Sequence, residues 1–519
     1  MKIAVIGGGW YGCHVALKLA QAGHEVTLFE KNSKILSEIS GNFGIRLHQG
    51  PHYPRSLITR EACREGAVKF EAEYPELINK HAYSIYALGK LDADNKPPKV
   101  TAEAFKKVCE ESQHCREVPL DDYQNVYCAM DVEEPSIVLG ERLRKIFEQR
   151  LKAAGVTVKC NAEVTGIERS GEKFNICVNQ ETYSFDQVIN TTGYCSLLPP
   201  TVPVLPCHME IVYQNCLAFV YYLKEPAQTF SKIFMDGFFP CVMPYDDRKQ
   251  KEEFIRKYIL THGKYTILGS YKTFEEAQKQ LAEIPEEFIE FIKKLCEENT
   301  THFWPDFLKL FQYSEEYKVA ILPKIKTDKE FRSAVTFQDA QGVIYVIPGK
   351  INNIFDVEQE VFSLIKGKNI IHEGEFRYVS GGVLDGAQSE ISEKPKDMSR
   401  NTCGLQTYEE FKQNAQQYIK KYDVIVPIPK TDTLCQDGTH RVKKGVIFSI
   451  LALIAMVIVN QSKDNSVPKF FGLCTLVILA ALVGYRKQRA IKNMFHRRIS
   501  PPVEKDHDSP SVTKKVTLT

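Results

Sequence analysis

The first thirty residues, MKIAVIGGGWYGCHVALKLAQAGHEVTLFE, constrain the fold more than any other segment. Residues 3–6 read as a short apolar strand, and Gly7, Gly9 and Gly12 follow at once in the spacing Gly-x-Gly-x-x-Gly. Residues 14–22 then carry helical periodicity, with Val15, Ala16, Leu19 and Ala20 on one face, and Gly23 is placed to end the helix. Residues 25–29 form a second strand, closed by Glu30. Each part meets a physical need of dinucleotide binding. Gly7 permits the tight turn, Gly9 lets the backbone approach a pyrophosphate, and Gly12 lets helix and strand pack closely. The helix start, where Trp10 and Tyr11 stand, offers N–H groups and a positive dipole end to phosphate. Glu30 lies where a carboxylate accepts hydrogen bonds from a ribose diol, with Lys31 next to it.

The rest of the chain bounds this reading. A length of 519 residues predicts two or three structural units. The net charge of +2 gives no basic field, so nucleic acid is not the expected partner. The 15 cysteines are odd in number and form no Cys-x-x-Cys pair, which points to free thiols rather than a zinc or redox motif. No signal peptide is expected, because the N-terminal apolar run already reads as a strand.

A dinucleotide fingerprint serves NAD and FAD alike, and three later segments favour FAD by resemblance. SGNFGIRLHQGPHYPRS, residues 40–56, resembles the Ser-Gly-x-Asn-x-Gly and His-x-Gly loop of the D-amino-acid-oxidase-like superfamily of FAD enzymes, though here Asn42 follows Gly41 directly. That resemblance implies that Ser40, Gly41 and Asn42 pass the pyrophosphate and the flavin ring. Residues 134–193 resemble a family unit in which the backbone near Val164 meets the adenine and a Thr-Gly turn, here Thr192 and Gly193, lies beside the cofactor. Residues 349–353 (Gly349, Lys350, Ile351, Asn352 and Asn353) sit where the family's last glycine-rich turn caps the flavin's pyrimidine end. The longer Arg-Leu-His and His-Tyr-Pro-Arg-Ser form is similar to FAD oxidoreductases of bacterial surface-polysaccharide gene clusters. No second Gly-x-Gly-x-x-Gly is present, so a separate NAD(P)H domain is not expected.

The resemblance implies an α/β (α+β overall) architecture. A Rossmann-like FAD-binding domain would comprise residues 1–60, 131–200 and 326–368, with an inserted mixed-sheet substrate domain from 61–130 and 201–325. Residues 211–224 and 264–271 are strand-like by their β-branched and aromatic content. Substrate would enter between the two domains. The protein's task is to bind and orient the flavin, which carries the hydride chemistry.

Arg46, His48, His52 and Tyr53 follow the 40–42 loop and are the candidate catalytic residues, with Arg332 as a further substrate-binding candidate. A histidine can take a proton from a substrate hydroxyl near neutral pH, and an arginine can clamp a carboxylate. The alternatives stay open. They are a flavin or backbone hydrogen bond for His48, pyrophosphate for Arg46, a structural role for His52 and an ordinary ion pair for Arg332. His48 and His52 stand four apart, but Gly50 and Pro51 between them argue against a helical metal pair, and no metal is expected.

The expected activity is oxidation of a CH–OH or CH–NH group of a small acid, amine or sugar by hydride transfer to flavin. One rival is a non-redox nucleotide-sugar mutase, since HQGPHYPRS also resembles the Gly-Pro-His motif of UDP-galactopyranose mutase. A non-catalytic FAD-binding scaffold tethered to a membrane is the other.

Beyond residue 368 the sequence changes character. Residues 369–442 are polar and read as a linker with one helix around 408–421. Residues 445–462 and 470–485 are uncharged apolar runs, and a spanning helix needs about 20 apolar residues. Residues 443–486 are therefore expected to form a transmembrane hairpin, with core helices or a re-entrant hairpin as alternatives. Basic residues flank both ends, which predicts that the FAD domain and the basic, polar, disordered tail 487–519 share the cytoplasmic side.

Overall fold

The computed structural model describes residues 1–112, 114–132, 134–199, 210–248, 255–326, 333–373 and 376–380. They fall within one unit spanning Met1–Val426. The 408–421 helix, the 443–486 hairpin and the tail lie outside the described residues, as does Arg332. Among the described residues no helix is long and apolar enough to cross a membrane.

The first strand, Lys2–Ile6, is buried on both faces after Lys2, as a central parallel strand must be. It pairs in parallel with Glu25–Phe29 on one side and Gln187–Asn190 on the other. The six-stranded sheet runs Val335–Gln338, Ile344–Ile347, Gln187–Asn190, Lys2–Ile6, Glu25–Phe29, Thr157–Lys159, and only its first pairing is antiparallel. The strand order reverses about Lys2–Ile6, where ligands bind in open α/β sheets. Four segments leave the carboxyl ends of these strands: Gly7 onward, Glu30 onward, residues 191–193 and residues 349–353. They therefore meet along one edge.

Helix Trp10–Gln21 is buried over most of its surface because it packs against two other helices, Gly140–Ala153 and Ile354–Ile365. It ends as the glycine predicts. Gly23 sits at φ +87° and its N–H reaches Ala20 O at 3.0 Å, while His24 N–H reaches Leu19 O at 3.1 Å. A three-stranded meander, Val164–Ser170, Lys173–Val178 and Glu181–Phe185, replaces a helical crossover before Gln187–Asn190. Its Phe174, Ile176 and Phe185 cover Ala4, Ile6 and Val188.

The second sheet has nine strands and is mixed. Tyr83–Gly89 runs parallel to Phe230–Met235, and the other pairings are antiparallel. Glu210–Leu223 pairs along its whole length with Phe311–Lys326, so both segments read as strands from composition are strands, the second as Ile267–Tyr271. Helix Glu286–Phe303 and Trp304 fill one face. On another part of the sheet, Ala218, Val220, Met243 and Ile259 pack with Leu139, Phe43 and Ile45. That contact seats the chain after residue 42 between the two sheets.

Three local differences from the sequence reading stand out. Residues around Asn42 form a helical turn, Ile39–Asn42, because Glu38 O accepts the N–H groups of Gly41 and Asn42. Helix Leu57–Glu73, assigned from residue 61 to the substrate domain, packs Phe70 against Trp10 at 5.6 Å between ring centres, and Tyr74 just beyond it at 5.9 Å. The polar stretch from 369 opens with a hairpin, Asn369–Glu373 and Phe376–Ser380.

Candidate active site

The glycine loop forms a cradle by close backbone approach. Gly7 has φ +102°, and a Cβ there would lie 2.9 Å from Thr191 O. A Cβ on Gly12 would collide with Gly7 O and crowd Thr191 Oγ1. Thr191 Oγ1–H in turn donates to Ile6 O and Gly7 O at 2.9 and 3.0 Å, which locks the 191–193 turn against the loop. Gly9 caps the helix without a side-chain hydrogen bond, and no acidic residue occupies the first turn. Ser40 Oγ accepts the Trp10 N–H at 3.1 Å. The buried Glu30 carboxylate accepts the Gly8 N–H at 2.7 Å and the Asn32 N–H at 2.8 Å. Lys31 is exposed at the end of that strand.

The last loop closes onto the first. Tyr11 Oη donates to Lys350 O at 2.6 Å and accepts the Gly349 N–H at 3.1 Å, joining positions 338 residues apart. Asn353 Oδ1 accepts the Lys350 N–H at 3.1 Å. Asn352 Nδ2 donates to His48 O at 2.9 Å and Cys63 O at 2.8 Å, while its Oδ1 is buried without a hydrogen-bond partner among the described residues. Ile351 is buried beside it, and Val164 is buried at the start of the meander. The glycine loop that a Cβ would fill, the carboxylate after the second strand and the unsatisfied acceptor on Asn352 fit a dinucleotide cofactor. The Trp10 ring lies in the core, 4.9 Å from Phe147 centre to centre, so only its backbone faces the loop.

Next to this cradle the candidate catalytic residues gather. Leu47 N–H donates to Pro135 O and Ile137 N–H to Ile45 O, both at 3.0 Å, so residues 45–47 form a short antiparallel ladder with 135–137. Strand alternation then turns Leu47 into the core and puts Arg46 and His48 on the opposite side. There they meet Glu134. His48 Nδ1 lies 3.1 Å from Glu134 Oε1, and the Gln49 N–H donates to Oε2 at 2.9 Å. Tyr86, from the second sheet, donates its hydroxyl to Oε1 at 2.6 Å. Arg46 Nη1 donates to Tyr86 Oη at 2.9 Å and lies 3.9 Å from Glu134. Its Nη2 lies 3.4 Å from His52 Nδ1. The His48 and His52 rings stack at 4.7 Å with 18° between planes, and Tyr53 stands edge-on to both. Lys350 Nζ lies 3.3 Å from the Tyr53 ring centre.

The charges follow from burial and neighbours. Burial pushes His48 down to about 4, against the pull of Glu134, and Arg46 and Lys350 add to the lowering. Burial alone would raise Glu134, but His48, Arg46 and the Tyr86 hydroxyl outweigh it and hold the carboxyl at about 2. Burial opposes the Arg46 charge, and Tyr86, Cys241 and Glu134 more than offset it. The resting cluster is thus an Arg46–Glu134 ion pair carrying neutral His48.

The structure brings Arg46, His48, His52 and Tyr53 together. Arg46 is engaged with Tyr86 and Glu134 and reaches His52 through Nη2. Sequence reasoning missed Glu134 and Tyr86. The one signal for Glu134 was an acidic pair directly before the apolar run 135–139. Tyr86 looked like any aromatic of an alternating strand.

Comparison with known proteins agrees with this geometry. A family described as FAD dependent oxidoreductase (DAO) matches residues 2–313. The FAD-dependent monooxygenase kojA of Aspergillus flavus is 44% identical over 419 residues, covering 79% of this chain and 97% of that protein. An FAD-dependent monooxygenase of Fusarium mangiferae is 28% identical over 371 residues, covering 70% and 91%. Among solved structures, glycine oxidase of Geobacillus kaustophilus aligns with a TM-score of 0.51 at 13% identity, over 72% of this chain and 95% of that one. L-Amino acid deaminase of Proteus myxofaciens aligns with a TM-score of 0.51 at 14% identity, over 70% and 90%. At such identity these two show the fold alone. The fungal relatives lend no support to the finer resemblance with bacterial polysaccharide-cluster enzymes.

Proposed function

The chain belongs to the family of FAD-dependent oxidoreductases, and from that premise we propose that it oxidises a CH–OH or CH–NH group of a small acid, amine or sugar. FAD, when bound, accepts the hydride that leaves the substrate carbon. His48 takes the proton from the substrate oxygen or nitrogen, and the product carries a C=O or C=N bond. Gly7, Gly9, Gly12, Glu30 and the 191–193 turn would hold the nucleotide half, and residues 40–42 and 349–353 the flavin half.

One observation carries this reading. His48 is neutral, held through Nδ1 by Glu134, and its backbone oxygen is tied to Asn352 of the last loop. A neutral imidazole at that position is a proton acceptor near physiological pH. With Arg46 balanced by Glu134, Lys350 supplies the net positive charge near it, which favours a substrate that is anionic or becomes so as its proton departs.

The test is anaerobic mixing of purified full-length protein with a panel of 2-hydroxy acids, amino acids, amines and sugars. The expected result is bleaching of the flavin absorbance by one class. No bleaching by any class, in protein that retains FAD, would sink the reading. The mutase rival is not favoured by the family, and it predicts turnover of a nucleotide sugar only after dithionite reduction.

The names of the fungal relatives favour a second reading, in which one oxygen atom of O2 enters the product and the other leaves as water, with the two electrons and two protons supplied by an external reductant such as a nicotinamide cofactor or by the substrate itself. Turnover under 18O2 separates the two: label in the product supports oxygenation, and hydrogen peroxide in step with substrate supports oxidation. The apolar runs 445–462 and 470–485 support a membrane-anchored form with the FAD-binding region on the cytoplasmic side. Release of the protein from membranes by alkaline carbonate would overturn it.

A further inference from the structure

We propose that Glu134 is a positioning residue that fixes His48 in the tautomer carrying its proton on Nδ1, leaving the lone pair on Nε2. The proposal deepens the role given to His48 above, but the tautomer can be read whether or not His48 is the base.

An ionised carboxylate only accepts hydrogen bonds. Glu134 Oε1 already receives the Tyr86 hydroxyl at 2.6 Å, and Oε2 receives the Gln49 N–H at 2.9 Å. Its remaining neighbour is His48 Nδ1 at 3.1 Å, which must therefore carry hydrogen. A neutral ring with its proton on Nδ1 has an acceptor at Nε2. The other way to place hydrogen on Nδ1 is a doubly protonated ring, and the surroundings oppose that. The groups facing His48 are Glu134, Arg46, Lys350, His52, Tyr53 and Tyr86. Arg46 already balances the single negative charge of Glu134, so an imidazolium would add an uncompensated cation to a buried site.

Three groups hold Glu134 itself. Its side chain is 1% exposed, Tyr86 and Gln49 fix one oxygen each, and Arg46 reaches the same oxygen as Tyr86. The ring orientation of His48 thus depends on residues from three separate segments. This is the arrangement by which a buried carboxylate sets the tautomer of a proton-accepting histidine.

Substitution by glutamine gives a sharp consequence. The Gln49 N–H demands an oxygen opposite it, so the amide of Glu134→Gln turns its NH2 toward Tyr86 and His48. Tyr86 Oη can accept from that NH2, and His48 Nδ1 can do so only by moving its proton to Nε2. The tautomer inverts, and the lone pair leaves Nε2.

Diethyl pyrocarbonate acylates unprotonated imidazole nitrogen, and mass spectrometry of peptides reads each histidine separately. His48 has 14% of its side chain exposed, while His14 has none and serves as the internal control. In the full-length holoenzyme at pH 7, His48 should label. In Glu134→Gln with FAD content unchanged, His48 labelling should fall about tenfold or more, the ratio for one unit of tautomer preference. Equal labelling in the two proteins overturns the proposal, as does an unreactive His48 in the wild type. If Glu134→Gln does not accumulate as holoenzyme, Tyr86→Phe decides. Loss of the hydroxyl leaves Glu134 a stronger acceptor for His48, so the pH midpoint of His48 labelling should move up, and an unmoved midpoint overturns the proposal. Flavin bleaching is not involved, so failure here and failure of the oxidation reading are separate results.

Discussion

The nucleotide cradle and the histidine cluster are neighbours built on opposite plans. The cradle is made of backbone: Gly7 and Gly12 matter for the Cβ they lack, and the strand, turn and helix that shape it are consecutive in the chain. The cluster is made of side chains. Arg46 and His48 come from one segment, Tyr86 from the second sheet, and Glu134 lies 86 residues from the histidine it holds. The cradle should therefore fail when atoms are added, and the cluster when a charge or a proton is moved.

The largest expected effect tests the first half of that contrast. Gly12→Val places branched bulk against Gly7 O and Thr191, neither of which can retreat without breaking the strand-to-helix turn. Overpacking a rigid contact costs about 1–3 kcal/mol, with backbone at the upper end. Purified Gly12→Val should carry essentially no flavin absorbance, and full FAD occupancy would break the comparison. His48→Gln tests the second half. It should retain FAD and thermal stability close to wild type, yet slow flavin bleaching about 10²–10⁴-fold with whichever substrate bleaches the wild type. A loss of FAD instead would make His48 part of the cradle.

The same contrast explains what could be read from sequence. The strand, glycine turn, helix and second strand of residues 1–30 were legible because each element declares itself within a few positions. The 349–353 loop was legible only through resemblance, since its closure by Tyr11 joins positions at least 338 residues apart. Arg46, His48, His52 and Tyr53 were legible as a set because they are adjacent. Their partners were not: a carboxylate clamp and pyrophosphate binding were both open for Arg46, and neither pointed to Glu134 or Tyr86. Nothing local in a strand reading Tyr-Ser-Ile-Tyr-Ala-Leu-Gly tells which tyrosine meets a carboxylate 48 positions away. Nor did its place in the glycine motif tell where the Trp10 ring goes, which is an aromatic pocket formed by Phe70, Tyr74 and Phe147.

Glu30 is where the two plans overlap, since a side chain there supports backbone. Both its oxygens accept main-chain N–H groups, from Gly8 of the loop and from Asn32. Glu30→Gln keeps the size but can accept at only one of the two atoms. A hydrogen bond to a charged group contributes roughly 1.5–3 kcal/mol, so FAD affinity should fall about tenfold to a hundredfold by titration of apoprotein. An unchanged affinity would mean the loop holds its shape without the carboxylate.

The smallest effect concerns a histidine away from both sites, and it shows what the cluster's chemistry looks like without an adjacent carboxylate. His262, in the second sheet, lies 2.9 Å through Nε2 from Asn299 Oδ1, so Nε2 carries hydrogen. Its Nδ1 accepts the N–H groups of Lys264 at 3.1 Å and Tyr265 at 3.2 Å. A second proton would have to enter at Nδ1, facing two donors in a buried place. Burial lowers His262 to about 3, from an ordinary value of 6.5, the Asn299 bond opposing and Lys264 assisting. The sign follows directly. Above pH 6.5 both the folded and unfolded chains hold a neutral ring, and His262 imposes no pH dependence. Below 6.5 the unfolded chain gains a proton that the folded one refuses, so stability falls as the pH drops toward 3. The slope is about 1.4 kcal/mol per pH unit, or roughly 2 kcal/mol between pH 6.5 and 5. His262→Gln, less stable at pH 7, should lose about that much less than wild type between pH 7 and 5 in guanidinium unfolding. Equal losses would show that the ring accepts its second proton in the folded state, and that Lys264 and Tyr265 do not guard Nδ1 in the way Glu134 guards the proton of His48.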